Sequence, residues 1–381
     1  MVTVAAHRMT GKNFGRSVSV LFYSLALLGC LAACGARHPA LSRPAAAARA
    51  AALAELGGKL FRDPSISGSG LVSCATCHDP QRAFGPPPGL VAGNRAAPSL
   101  RYLQSVPHFT EHYFDEDKGD DSIDNGPTGG LTWDGRVDRG RDQARIPLLA
   151  ESEMAGGSES AIAARAGNAP YAGELRKLAR GGDLFTTVLE ALETYQQNEH
   201  EFYPYSSRFD AWLAGTAALS IQETRGFELF KDPARGNCSS CHSSEVTRAG
   251  IAPQFTDYGF IALGIPDNSA YHDLGLCGPE RKDLTGHPEY CGRFRTPTLR
   301  NVATRTVFFH NGSVHTLREA VAFYAERETK PDNWPSPAEY RNNIEKGAPF
   351  SNKPALSEAE IDDIVAFLNT LTDITPALPA T

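Results

Sequence analysis

The chain has 381 residues, enough for two domains of ordinary size. A content of 41% hydrophobic and 21% charged residues is that of a globular protein, and a net charge of −7 leaves no basic field of the kind that nucleic acid requires, so no nucleic-acid partner is expected. Glycine (35) and proline (26) are abundant, which suits a loop-rich fold wrapped around something large.

In chain order, Arg8, Lys12 and Arg16 precede the uncharged, almost wholly apolar run "SVSVLFYSLALLGCLAAC", so residues 1–34 read as an export signal. The "LAAC" at Leu31–Cys34 looks like a lipoprotein cleavage box, with Cys34 as the lipidated first residue; the alternative is a plain secretory cut that discards Cys30 and Cys34. The expected location is the periplasm, with an anchor to the outer membrane where Cys34 carries lipid. No later stretch approaches the apolar length of a membrane span. The alanine-rich "AARAAALAELGGKLF" predicts a helix. It leads into "CATCH", Cys74 to His78, and the same pattern returns as "CSSCH", Cys238 to His242, after "SIQETRGFELFKD".

A lone CxxC suits a redox dithiol or half a zinc site. A thioredoxin-type pair opens a helix after a strand, and no such pattern surrounds Cys74; zinc needs two further ligands per motif, or both motifs in one site. The adjacent histidine and the duplication in an exported chain point instead to c-type haem, with the cysteines bonded to the vinyl groups and the histidine on the iron. Two covalently bound haem c groups are expected, on Cys74, Cys77 and His78 and on Cys238, Cys241 and His242. The duplication divides the chain into residues 35–220 and 221–381, one haem in each.

Further helices are predicted at "SESAIAARA", "GDLFTTVLEALETYQQN" and "SSRFDAWLAG". The last, "SEAEIDDIVAFLNTL", opens on a Ser357/Glu360 capping box and repeats apolar residues at Ile361, Ile364, Val365 and Leu368. The fold class is therefore mainly α, with no strand core evident. Cys277 and Cys291 are the remaining cysteines, and an oxidising compartment makes a disulfide between them the expectation.

With the two CxxCH motifs, "LTWDGRVDRGRDQARIPLLAESEM" and "FRTPTLRNVATRTVFFHNGSVHTLREAVAFY" resemble the bacterial di-haem cytochrome c peroxidase family over nearly the whole mature chain. The details look like its MauG-type branch, and "DLGLCG…YCGRFRTPTLRN" looks closest to the methanobactin-associated member, which oxidises a partner-protein tryptophan. The resemblance implies two cytochrome c-like helical domains. The position after "TLREAV" falls on Tyr324, where electron-accepting peroxidases carry methionine, so His242 and Tyr324 are the expected ligands of the second haem; His310 or His315 would ligate if Tyr324 only packs. A phenolate lowers the haem potential. Neither His108 nor His112 fits the distal position of the first haem, so an open site opposite His78 is expected.

The resemblance makes Glu153 the acid–base group for peroxide, with Glu151 as a competitor, Gln143 orienting Glu153, Pro147 in the distal pocket and Trp133 between the haems. Asp134 and Arg136 would fix the segment or pair with haem propionates, and His310 would support the second haem. A calcium ion between the haems is also implied, with Ala96 at the position of its asparagine donor, Asn94 two residues away as a substitute, and carbonyls around Arg305 and Val307. Gly236 stands at the position of a surface tryptophan that serves as hole exit in the branch, leaving Trp212 and Trp334 as aromatic alternatives. The expected activity is oxidation by hydrogen peroxide through a high-valent, bis-Fe(IV)-like state of a residue, tryptophan first, on an exported partner protein. The alternative is reduction of hydrogen peroxide with electrons from a small periplasmic donor.

Overall fold

The computed structural model describes residues 43–91, 94–114, 123–266, 271–335, 341–345 and 355–374. The export signal expected at residues 1–34, with Cys30 and Cys34, lies outside these. Among the described residues no helix is long and apolar enough to cross a membrane.

Helix α1 (Arg43–Arg62) runs on alanine and leucine and ends with Lys59 and Arg62, cations that suit the negative end of the helix dipole. It buries Leu53, Leu56, Gly57, Leu60 and Phe61 along one face. The first CxxCH forms a single turn, α2 (Cys74–Cys77), started by the Ser73 N–H donating to Thr76 Oγ1 at 3.0 Å. Next come α3 (Gly140–Leu149), α4 (Glu159–Ala166), α5 (Ala172–Ala179), α6 (Leu184–Tyr195) and α7 (Glu199–Phe202). Asp183 caps α6 by accepting from the Thr186 N–H. The apolar faces of these elements meet in one core that includes Leu56, Leu60, Phe84, Leu148, Ile162, Leu175, Val188 and Phe202.

A second core gathers α8 (Arg208–Leu213), α9 (Ile221–Lys231), α10 (Leu317–Glu326) and α11 (Glu358–Asn369) around Phe209, Phe230, Phe255, Ile361, Ile364 and Phe367. The Ser357/Glu360 box opens α11 as the sequence predicts, with the Ser357 N–H donating to Glu360 Oε2 at 2.8 Å. Sheet structure among the described residues is slight: β1 (Phe260–Ile261) pairs antiparallel with β2 (Phe294–Arg295), Phe260 opposite Arg295. A small third cluster of Phe260, Leu276 and Leu284 lies beside it, and the Cys277–Cys291 disulfide is formed, with Cα atoms 4.9 Å apart.

The two cores are built alike. A Cβ added at Gly57 would lie 2.0 Å from Ala191 O, and one added at Gly226 would lie 1.9 Å from Asp363 O. The helix before each haem motif therefore crosses the closing helix of its core, α1 on α6 and α9 on α11, at a distance only glycine permits. Both helices run on through "LF" to an aspartate, and Asp63 and Asp232 each accept a backbone N–H two residues on, at 2.8 Å. Among the described residues the regular structure is mainly helical, two cytochrome c-like domains with little sheet, as expected.

Candidate active site

Each CxxCH motif opens onto its own cavity. The larger, about 2010 Å³ with its mouth, is lined by Cys238, Cys241 and His242; the smaller, about 1480 Å³, by Cys74, Cys77 and His78. His78 Nδ1 lies 3.0 Å from Phe84 O and His242 Nδ1 lies 2.8 Å from Phe255 O. A carbonyl can only accept, so Nδ1 donates in both rings and Nε2 keeps its lone pair for a metal. Phe84 and Phe255 both adopt positive φ, 55° and 53°, a conformation costly for a bulky residue and repeated at both motifs. Burial lowers the pKa of both imidazoles, that of His78 to about 4, so both are neutral as ligation requires. The thiols behave oppositely to a reactive dithiol: burial pushes Cys74 and Cys238 up to about 12.

In the larger cavity, α10 presents Leu317, Ala320, Val321 and Tyr324, the i, i+3, i+4, i+7 face of one helix. The Thr316 side chain fixes the start of that helix by accepting from the Glu319 N–H at 3.1 Å. Tyr324 thus shares the cavity with His242, and burial raises its pKa above the usual phenol range. His310 lines the same cavity, 3% exposed, with its ring stacked on Phe294 at 3.5 Å between centroids. His315 is exposed and is not among the lining residues. Met154 lines the smaller cavity and not the larger.

The smaller cavity holds Gln143, Pro147 and Glu153 together. Pro147 lacks an N–H, so it withholds the helical bond that Gln143 O would otherwise accept, and α3 ends two residues later. The chain turns at once: the Glu153 N–H donates to Ala150 O (3.1 Å) and the Met154 N–H to Pro147 O (3.1 Å). Met154 enters the first core, and Glu153 is left on the cavity wall. Glu153 is exposed to the cavity's open space but enclosed by protein behind, and this enclosure raises its pKa; Arg136 opposes the rise and Glu280 adds to it. Glu151 is not among the lining residues. His78 is the one histidine among the described residues that lines this cavity; His108 and His112 are exposed elsewhere, His112 paired with Asp124 at 2.6 Å.

Trp133 lines both cavities and is 9% exposed; its Nε1–H donates to Ala96 O at 2.8 Å. The next residue, Asp134, is fully buried and bonded by Arg95 (2.7 Å), Arg136 (2.6 Å) and Thr132 (2.6 Å). Burial alone would raise its pKa, but Arg95 and Arg136 outweigh that and hold it low. Asp134 therefore fixes the segment from within the protein, and Arg95 passes the link on to Asp273 through two further bonds. Asn94 is exposed on the wall of the smaller cavity.

Three features were not anticipated from sequence. Arg295 lines both cavities and Arg305 the larger; Arg295 is buried and Arg305 half-buried, and neither pairs with a carboxylate among the described residues. Arg305 Nη2 has no hydrogen-bond partner among the described residues. Enclosed cations without anions are costly, and haem supplies two propionates per ring, so the two cavities, their cysteines, neutral histidines and guanidinium groups without a carboxylate fit two covalent haems. Glu280, carried by the disulfide loop, also reaches the smaller cavity, bonded by the Tyr271 hydroxyl at 2.6 Å and 3.6 Å from Arg136. Its only signal in the sequence is its place in "CGPE".

Residues 51–218 match the family model described as di-haem cytochrome c peroxidase, and residues 223–372 match cytochrome c. The methylamine utilization protein MauG of Paracoccus denitrificans is 33% identical, over 91% of this chain and 95% of its own. A cytochrome c551 peroxidase of Nitrosomonas europaea is 27% identical, over 95% and 93%. Among solved structures, the diheme peroxidase BthA of Burkholderia thailandensis superposes with a TM-score of 0.73 at 34% identity, covering 85% of this chain and 86% of that one. The chain thus belongs to the di-haem cytochrome c peroxidase family, as a haem oxidoreductase of its MauG type.

Proposed function

We propose that the chain uses hydrogen peroxide to remove electrons from an aromatic side chain, tryptophan first, on an exported partner protein. The observation that carries this reading is the inequality of the two cavities. One presents a single histidine together with Glu153 and Gln143; the other presents His242 and Tyr324. When bound, the haems supply the electrons that break peroxide and then hold the two oxidising equivalents. Glu153 takes the proton from one peroxide oxygen and returns it to the other, so that the O–O bond breaks heterolytically. Gln143 and Pro147 shape the space around Glu153, and Trp133 gives a hole a π-system common to both cavities. His242 and Tyr324 would hold the second haem, and a phenolate ligand from Tyr324 would lower its potential. On this reading residues 1–34 direct export, Cys34 carries the lipid, and residues 35–220 and 221–381 each form one haem domain.

A second reading, reduction of peroxide with electrons from a small donor protein, is favoured by the likeness to the Nitrosomonas peroxidase. Against it, the larger cavity offers a phenol and no thioether among its lining residues. One experiment separates the two. Ferric holoprotein is mixed with stoichiometric peroxide and followed into the near infrared, and turnover is then measured with a reduced small cytochrome. A near-infrared band shared between the haems, with slow donor turnover, supports the proposal. Fast donor turnover without that band establishes the second reading.

A further inference from the structure

The family resemblance implies a calcium ion between the haem segments, and the residues here do not fit one. At the position of the asparagine donor stands Ala96, fully buried, with only a methyl to offer. Its surroundings are apolar: a Cβ built on Gly312 would lie 3.8 Å from Ala96 Cβ and 3.6 Å from Val307 Cβ. The Ala96 carbonyl accepts from Trp133 Nε1 at 2.8 Å, and its N–H donates to His310 O at 2.7 Å. Asn94 is exposed on the wall of the smaller cavity. Calcium takes roughly six to eight oxygen ligands. Of the carbonyls expected to serve it, that of Val307 accepts from Arg305 Nε at 3.2 Å.

We propose that the Arg305 guanidinium replaces the divalent ion, as a fixed cation that ties the two haem segments together and neutralises charge beside the haems without metal. Its Nη1 donates to Ala97 O at 3.2 Å while its Nε donates to Val307 O, so one planar group spans the stretch after the first motif and the stretch after the second. Neighbouring bonds run along the same seam, from Arg82 Nη1 to Thr304 O (3.3 Å) and from the Gly89 N–H to Thr306 Oγ1 (3.2 Å). The third nitrogen, Nη2, is buried without a partner among the described residues, and the residue lines the larger cavity, an arrangement that suits a haem carboxylate. Burial lowers the guanidinium pKa to about 10, so the charge persists at neutral pH. A carbon-bound cation cannot be chelated or exchanged, so the seam should be indifferent to calcium. The proposal rests on the two haems and not on the substrate read above, so either can fail alone.

The test uses the holoprotein with both haems attached. Metal content is measured by mass spectrometry after passage over chelating resin, and the melting temperature and haem midpoint potentials are compared in EGTA and in added calcium chloride. The expected result is far less than one calcium per chain and no change in either quantity. One calcium per chain, or an EGTA-induced loss restored by calcium, overturns the proposal. In a second arm, Arg305→Met should lower the melting temperature and shift a haem potential negative, because removing a cation favours the more positive ferric form. Arg305→Lys keeps the charge but not the fork, so it should recover the potential more fully than the melting temperature. Unchanged potentials in Arg305→Met would also overturn it. If that variant does not fold, the wild-type metal content and the lysine variant still decide.

Discussion

On the proposed reading, Glu153 concentrates the chemistry of the smaller cavity in one proton. Enclosure raises its pKa, Glu280 raises it further and Arg136 pulls it down. A base must be unprotonated to act, so the rate constant for reaction with peroxide should fall as pH drops through this raised pKa. Replacement of the acid by glutamine should slow the reaction by roughly 10²–10⁴-fold, the usual worth of general acid–base catalysis, with haem content unchanged. The two neighbours give the sign of the electrostatics. Glu280→Gln removes a negative charge and should move the acid limb to lower pH; Arg136→Leu removes a positive one and should move it higher. Stopped-flow rates across pH read all three variants, with haem absorbance as a check that Arg136→Leu has not disturbed Asp134. A limb that persists unshifted in Glu153→Gln would assign the titration to another group.

At the scale of elements, the fold depends on two helix crossings that the sequence does not advertise. An interior glycine in a helix reads only as a propensity penalty of roughly 0.5–1 kcal/mol. Gly57 and Gly226 are there because the carbonyls of Ala191 and Asp363 occupy the space a side chain would need, a fact that appears only when α6 and α11 are laid across them. Alanine at either position should cost about 1–3 kcal/mol through overpacking. Gly58 is the control: a Cβ there meets Tyr195 at 3.4 Å, an ordinary contact, so Gly58→Ala should be neutral or slightly stabilising. Thermal unfolding of the three variants checks the ranking, and equal losses at Gly57 and Gly58 would refute the crossing argument.

The same contrast separates what could be read in advance from what could not. The Ser357/Glu360 box and the apolar repeat at Ile361, Ile364, Val365 and Leu368 are local signals within one helix, and each is legible. CxxCH is likewise a contiguous pattern. Glu280, Arg295 and Arg305 carry no such signal. They become significant only where a disulfide loop, a two-residue strand and a turn bring residues distant in sequence to the cavity walls. The proposal that Arg305 stands in for calcium has a related origin: a resemblance places donors by register, but does not see the guanidinium that already bonds one of their carbonyls.

Over the whole molecule, the proposed function depends on a difference between two similarly built halves. Both present a neutral histidine held by a carbonyl of a positive-φ phenylalanine, and both cross a glycine-bearing helix over a closing helix. The difference lies in the lining of each cavity, an acid in one and a phenol in the other, with Trp133 shared between them. If that phenol sets the balance, Tyr324→Met tests the entire arrangement, because methionine fits a helix at little cost and thioether ligation raises haem potential. The variant should show a more positive midpoint for the second haem, a weaker near-infrared band after peroxide and faster turnover with a reduced small cytochrome. A second haem that can be reduced at higher potential accepts electrons from a donor more readily than it shares a hole with the first. Redox titration, near-infrared spectra and steady-state assays on the same preparation read the three effects together. A Tyr324→Met protein with unaltered potential and spectrum would show that the phenol only packs, and would place the inequality of the two halves elsewhere.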